Sequence, residues 1–400
     1  MFHFKILVAL IAFTCLPSAT AIAADRPDFT QVGFSTLNAY GDNGTTGGGD
    51  VEPVIVRTAQ EFQTQVERLD IKKKADRDTA PRVIVVGGDI DLGELKNGNA
   101  GTELKNVGIV RIVSNTTIYA AAGATLRRGT LDIHGKHNII IRNLAFRDLW
   151  EFDPTGEYDK NGWDYLRITN QGDVLSHHVW IDHCDFGKVY DGQLDVVHGS
   201  DLVTISWCKF AGDDRGAQKK VTLIGHGPNN SAQDLGRLNV TLHHNWYENF
   251  EDRAPRSRFG NIHSFNNYIN GATHATISVL GAVTLVEANH YDDVGIATTF
   301  SHADDNLRKN RAGTIVIADS INTNPRQLKP TTRPDEAFSQ ENNFKGNVER
   351  HAMEFRKPLG FEWADRKGLP YPYKPDPVAD VAGVVKAFAG IGKIDPEKDR

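Results

Sequence analysis

Sulfur is scarce in this chain. Three cysteines and two methionines are spread over 400 residues, which excludes a disulfide-rich scaffold. One of the three, Cys15, lies in the leading segment, so Cys184 and Cys208 remain for the body of the protein. Positive charge is also in deficit. Against 51 Asp and Glu stand 45 Lys and Arg, a formal charge of −6 at pH 7. Such a balance argues against general nucleic-acid affinity, because a phosphate backbone needs a basic face. Beyond the first two dozen residues no apolar run is long enough to cross a bilayer, so no membrane span is expected.

The start of the chain has a different character. Lys5 gives a positive beginning, "ILVALIAFTCL" an apolar run and "TAIAA" a small-residue cleavage site. This is the pattern of a signal peptide over residues 1–24. It predicts a secreted protein, extracellular or periplasmic, one charge unit more acidic after Lys5 is removed. At 40% hydrophobic the remainder has ample material for a core, and 37 glycines with 16 prolines imply many turns. No linker divides it, so a single domain over residues 25–400 is expected.

Self-similarity is the strongest internal signal. "NIIIRNLAF", "VTLHHNWY", "IHSFNNYI" and "VTLVEANHY" share a short apolar or β-branched run, a polar residue and then an aromatic or aliphatic one. Their aligned asparagines are Asn143, Asn245, Asn267 and Asn289, the last three at intervals of 22. "VWIDHCDF" and "VTISWCKF" place Cys184 and Cys208 in the same slot, 24 apart. The period is too short for a βαβ unit and matches one coil of a parallel β-helix, whose coils repeat at about 4.8 Å. All six residues are expected to form one inward column, with the two cysteines as buried thiols. The longer gaps become coils with loops gathered on one face.

Both ends carry cover. In "TAQEFQTQVERL", Thr58 and Glu61 have capping-box spacing, and Phe62, Val66 and Leu69 follow at helical intervals. This predicts a helix plugging the first coil. "DPVADVAGVVKAFAG" predicts a second amphipathic helix outside the far end, and residues 296–376 read as long loops with a strand or two, such as "GTIVIAD".

Against the acidic background, "RAPRSRFG" packs Arg253, Arg256 and Arg258 into six residues. Pro255 marks the start of a strand on which Arg256 and Arg258 share a face. Either these are surface arginines paired with Glu248, Glu251 and Asp252, or they meet an anionic partner. Asp191 and Asp195 in "YDGQLD" and Asp164 in "GWDYLRI" likewise have two readings. Asp-Gly is a common turn with solvated neighbours; alternatively the three share a cation. An extended strand would hold positions 191 and 195 about 13 Å apart, so sharing requires a bend at Gly192. Lys220 in "KKVTLIG" is either a loop lysine or a ligand for a carboxylate. Asp182 and His183 in "VWIDHC" fall on opposite faces of a strand and are read as structural.

Together "VWIDH", "YDGQLD", "VTISWCKF", "KKVTLIG", "RAPRSRFG" and "IHSFNNY" resemble, in order and spacing, the pectate lyases of polysaccharide lyase family 1. "GTTGGG" and "LPYPYKPDPVADVAGVV" extend the likeness from Gly33 to Ile391. The resemblance implies an all-β, right-handed parallel β-helix and a Ca²⁺-dependent lyase, acting as a monomer on polygalacturonate. It implies β-elimination of de-esterified pectin to 4,5-unsaturated oligogalacturonides. It makes Asp164, Asp191 and Asp195 metal ligands, Arg253 the catalytic base, and Lys220 and Arg258 partners of substrate carboxylates. Arg256 is either a further substrate contact or a structural ion pair. One departure stands out: some relatives have an aspartate where this chain has Gly162, with Asp159 and Glu157 as nearby substitutes. Since guanidinium has a reference pKa above 12, an arginine base implies an alkaline optimum. The rival readings are a pectin lyase, a β-helical polygalacturonase and a glycan-binding β-helix without turnover.

Overall fold

Short β-branched runs separated by tight bends build this protein coil by coil. The computed structural model describes residues 26–212, 218–300, 312–326 and 369–399; the signal-peptide segment lies outside them. Three parallel sheets run along one stack. The first, an eight-stranded sheet, orders Gly108–Ile112, Gly129–His134, Leu166–Thr169, Leu194–Val197, Leu223–Ile224, Arg256–Arg258, His274–Val279 and Ile296–Thr299. The second includes His137–Arg147, His177–Asp182, Asp201–Ser206, Asn239–His243, Asn261–Phe265, Val283–Glu287 and Thr314–Ala318. The third continues each coil through Asp185–Phe186, Lys209–Ala211, Trp246–Glu248, Tyr268–Asn270, His290–Asp292 and Ile321–Thr323.

Identical slots of successive coils stack inside. Ile139, Val179, Val203, Val240 and Ile262 form one fully buried row. Phe146, Phe186, Phe210 and Tyr247 form another, their rings stacked at 4.8, 4.8 and 4.9 Å. Each fully buried side chain of this size contributes about 1.5–3 kcal/mol. The core is therefore a set of columns rather than a central cluster.

Between the second and third sheets the chain turns through one left-handed residue per coil. These are Asn143 (φ 56°), His183 (47°), Trp207 (52°), His244 (54°), Asn266 (51°) and Ala288 (48°). Non-glycine residues are uncommon in that region, so the repetition marks a corner imposed by stacking. The residue after each turns inward. Asn289 Oδ1 accepts from Asn267 N at 2.7 Å, Asn267 Oδ1 from Asn245 N at 2.9 Å, and Asn245 Oδ1 from Cys208 N at 2.9 Å. Cys208 Sγ in turn lies 3.4 Å from Cys184 N, and Ser320 Oγ caps Asn289 N at the other end.

The expected column thus runs from Cys184 to Asn289, with both cysteines free and buried, but Asn143 is not in it. Arg142 pairs with Asp182 and Ala145 with Asp185, which aligns Asn143 with His183 at the corner and leaves Leu144 in the inward slot. Asn143 suits the corner because its short amide tolerates left-handed backbone. Its side chain meets Ala120 O and the Gly392 amide instead.

The helix at the first coil spans Ala59–Val66, with the Thr58–Glu61 capping box formed and Phe62 and Val66 buried. Leu69 lies past its end and is exposed. The second helix, Val378–Phe388, does not cap the far end. It lies along the third sheet, with Val381 and Val385 against Tyr268, and leads the chain back to earlier coils. Gly390 N bonds Trp207 O, and Arg142 donates to Asp399 O. "GTIVIAD" contains the strand Thr314–Ala318; much of residues 296–376 lies outside the described residues.

Candidate active site

Outward-facing side chains of the first sheet, together with the loops that precede its strands, form a groove of ≈ 460 Å³. Asp164, Asp191, Asp195, Lys220 and Arg253 all line it. Five residues separated by up to 89 positions are gathered because coils, not sequence neighbours, lie side by side.

Asp195 is on the strand Leu194–Val197, facing out beside Arg167 of the previous coil. Asp191 sits in the bend before that strand, and Asp164 precedes the strand Leu166–Thr169. The bend required at Gly192 is present. Its amide donates to Asp164 Oδ1 at 2.8 Å. A Cβ on Gly192 would come within 2.5 Å of Asp195 Oδ1 and 3.0 Å of Asp164 Oδ1. Two carboxylates therefore close over a position where any side chain would push them apart.

The electrostatics are those of a cation site. Burial, then Asp195 and Asp191, push the Asp164 carboxyl well above the ordinary range. Burial raises Asp195 most, Arg253 opposes and Asp191 adds, with the result at about 6. Buried carboxylates that repel each other need a positive charge to stay ionised. Oxygen donors alone, and fewer than the six to eight that Ca²⁺ takes, fit a hard divalent ion with positions left open. Asp164, Asp191 and Asp195 are the residues that would hold it. At position 162 a side chain would meet only open space, and neither Asp159 nor Glu157 lines the groove, so among the described lining residues no fourth carboxylate joins the three.

Lys220 donates from Nζ to Asp191 Oδ1 and to Tyr158 O, both at 2.9 Å. Lys219, on the short strand Gln218–Lys220, is paired with Glu251. Arg253, by contrast, makes no side-chain hydrogen bond or ion pair among the described residues, and its Nε is buried without a partner. Its backbone is held at φ 78° by neighbouring coils, through Thr222 N to Arg253 O (2.8 Å) and Ala254 N to Ala275 O (2.9 Å). This guanidinium is presented to the groove rather than spent on the fold.

The other two arginines are placed differently. Arg256 is buried and ion-paired with Asp252 at 2.8 Å, as the structural alternative expects. Arg258 is 7% exposed and donates to Gly225 O and His226 O at 3.1 and 3.2 Å. It positions the turn that carries His226 into the groove, and it is not itself among the lining residues described. Both share the outward strand face with Asp195 but are buried there.

Sequence reasoning missed Arg167 and the histidines His134, His198 and His226, which line the same groove. Arg167 lies between Asp132 and Asp195 in register and donates to Asp132 Oδ1 at 3.2 Å. Asp182 and His183 are fully buried elsewhere, with Arg142 at 2.7 Å from Asp182. Burial alone would raise Asp182, yet His183 and Arg142 bring it down to about 2. They lie outside the groove.

Comparison with known proteins follows the geometry. A family model described as pectate lyase matches residues 7–393. Pectate lyase B of Paenibacillus amylolyticus is 31% identical over 329 residues, covering 66% of this chain and 80% of that one. A pectate trisaccharide-lyase of Thermotoga maritima is 33% identical over 297 residues, 73% of this chain and 68% of that one. In fold, the chain resembles a pectate lyase from Paenibacillus sp. 0602, with TM-score 0.70 and 24% identity over 93% of this chain and 98% of that one. It also resembles a Bacillus sp. N165 pectate lyase in complex with trigalacturonate, with TM-score 0.63 and 20% identity over 91% and 99%. These neighbours have a parallel β-helix fold, the architecture expected above.

Proposed function

The chain belongs to the pectate lyase family and has its lyase activity, and from that premise we propose that it cleaves (1→4)-α-D-galacturonan by calcium-dependent β-elimination. The products are 4,5-unsaturated oligogalacturonides. The observation that carries this reading is the closure of Asp164 and Asp195 over Gly192, with Asp191, Lys220 and Arg253 in the same groove. When bound there, Ca²⁺ supplies stabilisation of the negative charge that develops on a uronate carboxylate.

The chain's own groups do the rest. A galacturonate C5–H is α to the carboxylate, and Arg253, held in no ion pair among the described residues, takes that proton. The C5–H electrons form the C4–C5 double bond, and the C4–O bond breaks with its pair leaving on the departing sugar. Lys220 exchanges Asp191 for a substrate carboxylate, which fixes the sugar for abstraction. Arg258 holds the Gly225–His226 rim, and Arg256 with Asp252 anchors the strand behind Arg253. A guanidine base acts only when neutral, so the rate rises into alkaline pH.

This reading includes export through the signal peptide and action as a monomer, with neither nucleic acid nor membrane as partner. The test is growth of ultraviolet absorbance on polygalacturonate, with and without a calcium chelator. Absorbance that grows equally in chelator would remove calcium from the account. A strong preference for methylated pectin would favour a pectin lyase, and reducing ends without absorbance would favour a hydrolase.

A further inference from the structure

Away from the groove, the N-terminal hairpin Asn38–Ala39/Asp42–Asn43 folds over a corner of the second sheet. Three ligand atoms meet under it: Asp42 Oδ2, His177 Nδ1 and His178 Nδ1. The two nitrogens are 2.8 Å apart, and the carboxylate oxygen lies 3.7 and 3.8 Å from them. Ligand atoms at 2.0–2.1 Å from a tetrahedral ion sit about 3.3 Å from one another. The three observed edges straddle that value.

The surroundings are those of oriented ligands. His178 Nε2 bonds Leu37 O at 2.7 Å; the Nε2–H must donate to the carbonyl, which leaves the Nδ1 lone pair facing the cluster. His137 Nδ1 bonds Asp42 Oδ2 at 2.7 Å and its ring stacks on His177 at 4.8 Å. Outer hydrogen bonds of this kind fix tautomers and carboxylates around metals.

The protein contains its own comparison. His243 and His244 make the same Nδ1–Nδ1 contact at 3.0 Å, with His244 Nε2 bonded to Asp376. Adjacent histidines at a left-handed residue are thus a packing device of this fold, since His178 and His244 both have positive φ. Among the described residues, only at His177–His178 does a carboxylate join the two Nδ1 atoms. That carboxylate is delivered by the N-terminal hairpin.

We propose that Asp42, His177 and His178 bind a zinc-class divalent cation, which ties the N-terminal hairpin to the β-helix. The ligand set is nitrogen-rich and borderline-soft, unlike the all-oxygen groove site, so it selects zinc over calcium. Water completes the coordination from the side where Asp42, 19% exposed, reaches solvent. Binding requires the His177 proton to move from Nδ1 to Nε2, a change of tautomer with no net proton loss.

The test uses the full chain with saturating Ca²⁺ present, so the groove site is filled and the outcome is independent of the lyase reading. Co²⁺ and Zn²⁺ are added as probes. One equivalent of Co²⁺ should give the intense visible bands of four-coordinate cobalt, bleached by one equivalent of Zn²⁺. Asp42→Asn, near the surface, should fold, keep its lyase rate and bind Co²⁺ at least tenfold more weakly. Asp195→Asn should keep the cobalt spectrum. Wild-type protein without visible bands at one equivalent, or an Asp42→Asn variant that binds equally tightly, would overturn the proposal.

Discussion

Lys220 Nζ lies 2.9 Å from Asp191 Oδ1, a cation already paired with one of the three groove carboxylates. A metal ion and this ammonium compete for the same oxygen. Lys220→Met should therefore strengthen Ca²⁺ binding to the substrate-free protein severalfold while weakening polygalacturonate binding. Calorimetric titration with Ca²⁺ and steady-state KM measure the two effects. Weaker calcium binding in the variant would mean that Lys220 props the site open rather than occupying it.

The raised carboxyls fix the sign of a pH effect. Asp195 titrates at about 6 in the folded chain against an ordinary 3.8, so the folded state binds the extra proton between those values. Stability from this group is fully present below 3.8 and is lost as pH rises through about 6. In chelator, Asp195→Asn should be more stable than wild type at pH 8, and the difference should shrink towards pH 4. Asparagine keeps the acceptor for Leu223 N, which bonds Asp195 Oδ1 at 3.0 Å. Calcium should reverse the order. Urea midpoints at several pH values give the comparison.

The three arginines should separate by kind of loss. Arg253→Lys removes the planar base and should lower kcat by about 10³-fold or more with little change in KM. Arg258→Lys loosens the rim turn and should mainly raise KM. Arg256→Met leaves Asp252 without its partner and should cost about 3 kcal/mol of stability, seen in urea unfolding before any kinetic change. An Arg253→Lys enzyme with a tenth of the wild-type kcat would place proton abstraction elsewhere.

Gly192→Ala tests the geometry of the carboxylate pair. Its Cβ would approach Asp195 Oδ1 to 2.5 Å, so the carboxylate must swing away. We expect at least a tenfold rise in the calcium concentration for half-maximal activity, with the fold intact because the bend is on the outside of the stack. Unchanged calcium dependence would show that Asp195 does not bind the ion.

Much of this was legible before any coordinates. The 22-residue intervals place Asn245, Asn267 and Asn289 in one column, because each coil must repeat its length to keep side chains stacked. The slip at Asn143 was avoidable: Phe146 aligns with Phe186, and counting back from the aromatic puts Asn143 at the corner. A one-residue shift moves a side chain from the interior to the turn, so matching by asparagine alone misled. Likewise the second helix was readable as a helix, but its amphipathic face did not say which surface it covers.

The sequence by itself determined the repeat, the capping box and the residue types of the groove, because periodicity and local hydrogen bonding act within a coil or a turn. Which of those groups are free to do chemistry was decided only by tertiary structure. Arg253 and Arg256 are three residues apart in one cationic run, yet one is strapped at φ 78° with an open guanidinium and the other is buried against Asp252. Lys220 meets Asp191, and Asp42 meets His177, across coils and loops whose lengths no motif encodes. Parallel stacking sets residues of different coils side by side at the interstrand distance, and only the stacked molecule shows which charges that proximity has already paired.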